Sequence, residues 1–214
     1  MDGPSNPGSS PARVVVVLGH GRATGLCHHL RDVCCDELAA REAEVRVHDL
    51  LADGFDPVLR MEEGQTFALR ADEASDPLLH RYQQDVAWAD AFVFVHPVWW
   101  FSPPAILKGW IERVLADGLA MQHVEDGPPQ PLLGGKRALV VQTFGAIRAV
   151  DRIITRGVAW TFWRRAVFQS VGMNDVSRLA LYAVEDLGPD ELEKYRQRLR
   201  RKLGALVEGV AAAR

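Results

Sequence analysis

The sequence is poor in the features that cross-link a chain or carry it across a membrane. It has three cysteines in 214 residues, Cys27, Cys34 and Cys35. An odd set clustered in one segment is no disulfide framework, so a reducing cytoplasm is the expected setting. No CxxC or HxxxH pair supplies a zinc-binding spacing. No apolar run approaches the roughly 20 residues that a bilayer-spanning helix needs. The first stretch, MDGPSNPGSSPAR, has no apolar h-region and does not read as a secretory signal. Its Pro, Gly and Ser content predicts a disordered tail over residues 1–12. Strong charge is missing too: the formal net charge is −3, which argues against nucleic acid as a partner, since phosphate binding favours a basic face.

What is present is apolar and periodic. The chain is 48% hydrophobic, and one domain over residues 13–214 buries about 70% of its extended surface. RVVVVLG (13–19) reads as a buried parallel strand. A helical segment from Gly25 to Ala43 follows, with Leu26, Leu30, Val33 and Leu38 as its apolar stripe. EVRVHD (44–49) alternates as a half-buried strand. Residues 51–75 read as a long loop with room for one short helix, and 76–90 as a helix carrying Leu79, Tyr82, Val86 and Ala89 on one side. AFVFVHP (91–97) is the third strand. Ser102 is a candidate cap for the next helix, where prolines in the first turn cost no hydrogen bond, and Ile106, Trp110 and Val114 form its stripe. A turn-rich excursion (116–135) leads to RALVVQTF (137–144), an aromatic, basic helix (152–171), the strand SRLALYAV (177–184) and a charged last helix from Pro189 to Ala212. Strand and helix alternating in this way predict an α/β fold, a parallel sheet with helices on both faces.

In such sheets ligands bind beyond the carboxyl ends of the strands. The tips after the first, third and fourth strands read GHGRATG, HPVWWF and QTFGAIR. The first runs from strand to helix, where free N–H groups and the helix dipole favour a phosphate by roughly 0.3–1 kcal/mol. Its G-x-G-x-x-x-G spacing, with Asp49 ending the second strand, also admits a nicotinamide-binding Rossmann reading. The second tip exposes adjacent aromatics, which suits a flat, partly polar ligand, a core role or a subunit interface. Cys34 and Cys35 read as packing residues. His28 and His29 are neighbours on a helix, point to different sides and make a poor metal pair. His96 either lines the pocket or satisfies local backbone. Trp160, Phe162, Trp163 and Phe168 read as core or dimer contact, and the charge run Glu191 to Lys202 as a solvated helix face.

The run from Pro97 to Val114, PVWWFSPPAILKGWIERV, resembles the signature of the flavodoxin-like NAD(P)H:quinone oxidoreductases. The resemblance implies a flavodoxin-like three-layer α/β/α sandwich with a five-stranded sheet in the order 2-1-3-4-5. It implies bound FMN or FAD, a homodimer, and hydride transfer from NAD(P)H through the flavin to a quinone-like acceptor. Carried over by position, the cofactor residues are His20, Arg22, Thr24, Gly25, Leu26 and Cys27 in the first loop. Pro97, Val98, Trp99, Trp100 and Phe101 make the ring-binding loop, and Thr143, Phe144, Gly145 and Ala146 the third. Gln83 falls on a recurrent Gln. Met121 and His123 stand where a neighbouring subunit lines the substrate pocket. Gly25 replaces a usual Ser, and no Tyr or His follows the third loop, which leaves Arg148 as the candidate catalytic charge. Two other readings stay open: a non-catalytic or weakly catalytic flavin-binding regulatory subunit of a transporter or biosynthetic complex, and a flavin-free NAD(P)-dependent Rossmann dehydrogenase.

Overall fold

A computed structural model describes residues 10–60 and 76–213. The expected tail up to residue 9, and the expected loop from 61 to 75, lie outside them. Ala12, the last residue of the expected tail, is buried, and its carbonyl accepts the Glu44 N–H at 2.9 Å.

Five parallel strands form the sheet: β1 (Arg13–Leu18), β2 (Glu44–Asp49), β3 (Ala91–Pro97), β6 (Arg137–Thr143) and β7 (Asp175–Leu181). Their spatial order is β2-β1-β3-β6-β7, the flavodoxin-like 2-1-3-4-5 arrangement counted over the parallel strands. The excursion after the third strand contributes a two-residue antiparallel pair, β4 (Met121–Gln122) and β5 (Gln130–Pro131).

β1, β3 and β6 are apolar on both faces because both faces are covered. On one side Val14, Val16, Val93, Val95, Leu139 and Val141 pack against α1 (Leu26–Ala39) and α5 (Pro189–Ala213) through Leu30, Cys34, Leu38, Leu199 and Leu203. On the other, Val15, Val17, Phe92, Phe94 and Val140 meet α2 (Pro77–Trp88) and α3 (Ala105–Val114) through Tyr82, Val86, Leu107 and Trp110. Burial raises the Cys34 thiol well above its ordinary value, as suits a packing residue.

Two helix expectations need correction. Ser102 does not cap α3; Pro104 occupies that position without a side-chain bond, because Ser102 is paired with Trp99 in a tight turn. The aromatic segment 152–171 is not one α-helix. One turn of π-helix (Val150–Ile154) ends at Arg156 and Gly157, both left-handed, and α4 (Val158–Thr161) then widens into a π-helix over Phe162–Phe168. The i to i+5 repeat brings Trp163 and Phe168 together, stacked with centroids 5.4 Å apart, against Phe94.

Both buried indoles of this side end on a histidine. Trp110 Nε1 donates to His48 Nδ1 at 3.3 Å while His48 Nε2 donates to Asp85 Oδ2 at 3.0 Å. Trp163 Nε1 donates to His96 Nε2 at 3.0 Å while His96 Nδ1 donates to the Pro97 carbonyl at 2.7 Å. His96 is thus the local structural member of its two readings. Each ring is neutral with a set tautomer, and burial lowers both pKa values, that of His96 to about 4.

Two tests follow from this packing. A Cβ on Gly109 would stand 2.5 Å from Pro57 Cα and closer still to the Pro57 carbonyl oxygen, so Gly109→Ala should destabilise by about 1–3 kcal/mol in urea melts; an unchanged midpoint would contradict that contact. Since the folded pKa of His96 is depressed, its contribution is complete above the unfolded value of 6.5 and is lost as pH falls toward about 4, at up to about 1.4 kcal/mol per pH unit. Stability should therefore fall less steeply between pH 6.5 and 4.5 in His96→Gln than in the native chain, and equal slopes would refute the assignment.

Candidate functional site

The parallel register makes three strands end together. Leu18 pairs with Val95, and Pro97 with Thr143. The segments beyond them enclose a cleft of about 510 Å³ lined by His20, Arg22, Thr24, Gly25, Leu26, Cys27, Pro97, Val98, Trp99, Trp100, Phe101, Thr143, Phe144, Gly145 and Ala146. Ligand pockets commonly fall between about 300 and 1,000 Å³.

At one end of the cleft, Gly25 (φ 144°) turns the chain into α1 with no side-chain cap. The first-turn N–H groups of α1 therefore have no partner in the helix and face the loop, a ready anion site. The loop is shaped from within: His20 Nδ1 accepts the Arg22 N–H at 2.9 Å. A Cβ on Gly21 would come within 3.2 Å of the Trp99 ring, so this glycine lets the first and second tips approach. Cys27 is a wall residue. Its Sγ lies 3.4 Å from Thr143 Oγ1, and burial pushes its thiol up to about 11, so it is protonated and a poor nucleophile.

The aromatic tip is a two-residue turn. Trp99 and Ser102 exchange both backbone hydrogen bonds at 3.0 Å, and the residues between them, Trp100 (φ 49°) and Phe101 (φ 58°), are both left-handed. Such turns favour Asn-Gly, and a left-handed residue bearing a Cβ costs roughly 1–2 kcal/mol. The turn leaves Trp100 97% exposed and Trp99 46% exposed at the cleft mouth. Val98 N–H donates to the Thr143 carbonyl at 2.8 Å, tying this turn to the third tip. Among the described residues, the N–H groups of Trp100, Phe101, Gly145 and Ala146 make no backbone hydrogen bond.

The remaining candidates lie elsewhere. Gln83 is buried between helices, its Nε2 donating to the Arg113 carbonyl at 3.4 Å, and does not line the cleft. Arg148 is exposed on the segment following Ala146 and is not part of the lining either. Met121 and His123 line a second, mainly apolar groove of about 390 Å³ between α3 and the π-helical segment. Val184 and Glu185 were missed and do line the cleft; the signal was the end of the fifth strand, since Leu181 pairs with Thr143. No cluster of three or more His, Cys, Asp or Glu able to hold a metal exists among the described residues.

An anion site, strained aromatics and unpaired N–H groups around one cleft match a ligand with a phosphate and a flat polar ring. The family profile described as flavodoxin-like fold matches residues 12–206. The chain belongs to this family. It is 32% identical over 145 residues to the FMN-dependent NADH:quinone oxidoreductase 3 of Pseudomonas fluorescens (strain Pf0-1), covering 65% of this chain and 70% of that relative. It is 29% identical over 148 residues to NAD(P)H dehydrogenase [quinone] 1 of Cavia porcellus, covering 63% of this chain and 54% of the relative, so it spans about half the length of that protein. Among solved structures it superposes on Smu.1420 from Streptococcus mutans UA159 with a TM-score of 0.76 and 25% identity, over 89% of this chain and 97% of the other.

Replacing the strained pair, Trp100→Asn with Phe101→Gly, should raise the stability of the ligand-free chain by about 1–2 kcal/mol while weakening retention of a flavin in the cleft. Calorimetry and a flavin titration read the two effects, and a variant no more stable than the parent would show that the turn stores no strain.

Proposed function

We propose that the chain is a flavin-dependent NAD(P)H:quinone oxidoreductase, working as a homodimer. The observation that carries this reading is the convergence of the helix N-terminus, the aromatic turn and the free N–H groups on one cleft. The donor set fits FMN or FAD. The first turn of α1, Thr24 and Arg22 would hold the phosphate, and the Trp99–Phe101 turn with Gly145 and Ala146 would hold the ring edge. The bound flavin would supply the two-electron chemistry, taking hydride from NAD(P)H and passing it on to a quinone. The chain's own part is positioning. Its walls would keep water from one ring face and leave the other open for nicotinamide and quinone to stack on in turn, a hydride step calling for reacting atoms about 3–3.5 Å apart.

Charge favours an anionic co-substrate. From Ile147 to Arg165 the chain carries Arg148, Arg152, Arg156, Arg164 and Arg165, all exposed, and its single acidic residue, Asp151, is buried. A second copy has apolar surface to cover: Ile153 and Ile154 are 74% and 73% exposed, and the groove of Met121 and His123 lies on the same flank of the sheet as their segment. No helix among the described residues is long and apolar enough to cross a membrane, and the unpaired thiols suit a cytoplasmic setting.

The Rossmann dehydrogenase reading is weaker, because Asp49 is held by Arg31 at 2.9 Å instead of being presented to a ribose, and it leaves the aromatic turn without a purpose. The purified protein should be yellow, with FMN or FAD in the heat-released supernatant by mass spectrometry, and should oxidise NADPH or NADH in the presence of a simple quinone. A colourless protein that takes up neither flavin would overturn the proposal; a yellow protein without turnover would make it a regulatory subunit.

A further inference from the structure

No tyrosine follows the third loop in the sequence, yet the fold brings one to it from another strand. Tyr182, just past β7, donates its hydroxyl to Asp151 Oδ2 at 2.6 Å. Arg178, on β7, donates from Nη2 to the same oxygen at 3.0 Å. Residues four apart on a strand share a face, so both side chains rise toward the segment that leaves the cleft. Asp151 is fully buried in the π-turn following Gly145–Ala149. The Arg178 guanidinium lies 5.2 Å from the centroid of Phe144, and the Tyr182 ring 4.8 Å from it. Phe144 lines the cleft.

The backbone repeats this connection. Phe144 N–H donates to the Leu181 carbonyl, Val184 N–H to Phe144 and Ala183 N–H to Ala146, at 2.8, 3.1 and 3.0 Å. The loop is thus gripped at its start by the end of β7 and at its finish by the buried carboxylate. Such an ion pair is a poor source of stability, since apolar residues of similar volume often serve as well or better. Here it is costlier still, because Asp151 Oδ1 and Arg178 Nε are buried without partners among the described residues. A polar cluster of this cost, directly behind a cleft wall, points to a role in the site.

We propose that Asp151, Arg178 and Tyr182 are positioning residues of the third tip. The carboxylate clamps the loop so that Gly145 and Ala146 keep their N–H groups toward the cleft, and the Arg178 cation behind Phe144 sets the field at the bound ring. The second half rests on the flavin reading; the clamp does not. Tyr182 is suited to a fixed donor, because burial and then its bond to Asp151 push its pKa up to about 12. The ionisable groups facing the cluster are Arg148, whose field reaches Tyr182, and the neutral His96, whose protonation Arg178 disfavours.

The test compares Tyr182→Phe, Asp151→Asn and Arg178→Gln. In the cofactor-free chain, hydrogen exchange at the bonded amides that hold the loop to β7, those of Phe144, Ala183 and Val184, should quicken roughly tenfold or more in the first two, as loss of one charge-assisted bond implies, with the bonded amides of Gly19 and Leu50 unchanged. In flavin-loaded protein the midpoint potential should move in opposite directions: down in Arg178→Gln, where a cation is lost, and up in Asp151→Asn, where an anion is lost. Arg178→Lys should restore most of that potential. Looser packing alone cannot give shifts of opposite sign. Unchanged exchange in Tyr182→Phe, which loses only a hydroxyl and is expected to fold, would overturn the clamp. Potentials that stay put or shift the same way in both charge variants would overturn the field. Native protein that takes up no FMN or FAD would sink the flavin reading and the field with it, while the exchange result would still decide the clamp.

Discussion

Parallel pairing of β1, β3 and β6 with both faces buried is the constraint from which the site follows. Each residue of these strands points into one of two packed layers, so a slip of one position would exchange the contents of the layers. The register is therefore held, and it places Leu18, Val95, Pro97 and Thr143 so that the following segments start from one edge. The chain leaves β1 to pair on one side with β2 and on the other with β3, which opens the crevice between their tips. Helices cover the two faces, and the segments at this edge keep the N–H groups of Trp100, Phe101, Gly145 and Ala146 without a backbone partner.

The indoles show how one residue type is divided by its surroundings. Trp110 and Trp163 are completely buried, and each indole N–H meets a neutral histidine that has a second fixed bond of its own. These pairs are part of the packing and stiffen the layer behind the third strand. Trp99 and Trp100 lie on a strained turn at the edge, with their rings exposed. A core role accounts for the first pair and, on the proposed function, recognition of a flat ligand for the second, although all four look alike in a hydrophobicity profile.

Several costly features meet at the cleft. Consecutive left-handed aromatics, a buried ion pair with unpaired atoms, and an uncapped helix start all work against stability. Each lies beside the same opening, although a buried atom without a partner and a left-handed residue also occur away from it, at Gln83 and Glu42. That distribution is expected when a rigid scaffold carries a site shaped for a ligand it does not itself supply.

The alternation of apolar runs and helical periods was enough to determine the fold class, the five parallel strands and the three tips, because strands buried on both faces leave a continuous apolar signature. Glycine chemistry and the aromatic run pointed to the first two cleft loops, the end of its strand to the third, and the family resemblance supplied the choice residue by residue. Tertiary structure decided what depends on distant residues meeting: that Gln83 belongs to a helix contact, that Arg148 stays outside the cleft lining, and that the aromatic helix widens into π turns so that Trp163 and Phe168 stack. It also joined Asp151 to Arg178 and Tyr182, 27 and 31 positions away. No periodicity encodes that meeting, since it depends on which strand becomes the neighbour of β6 and on how the loop returns over it.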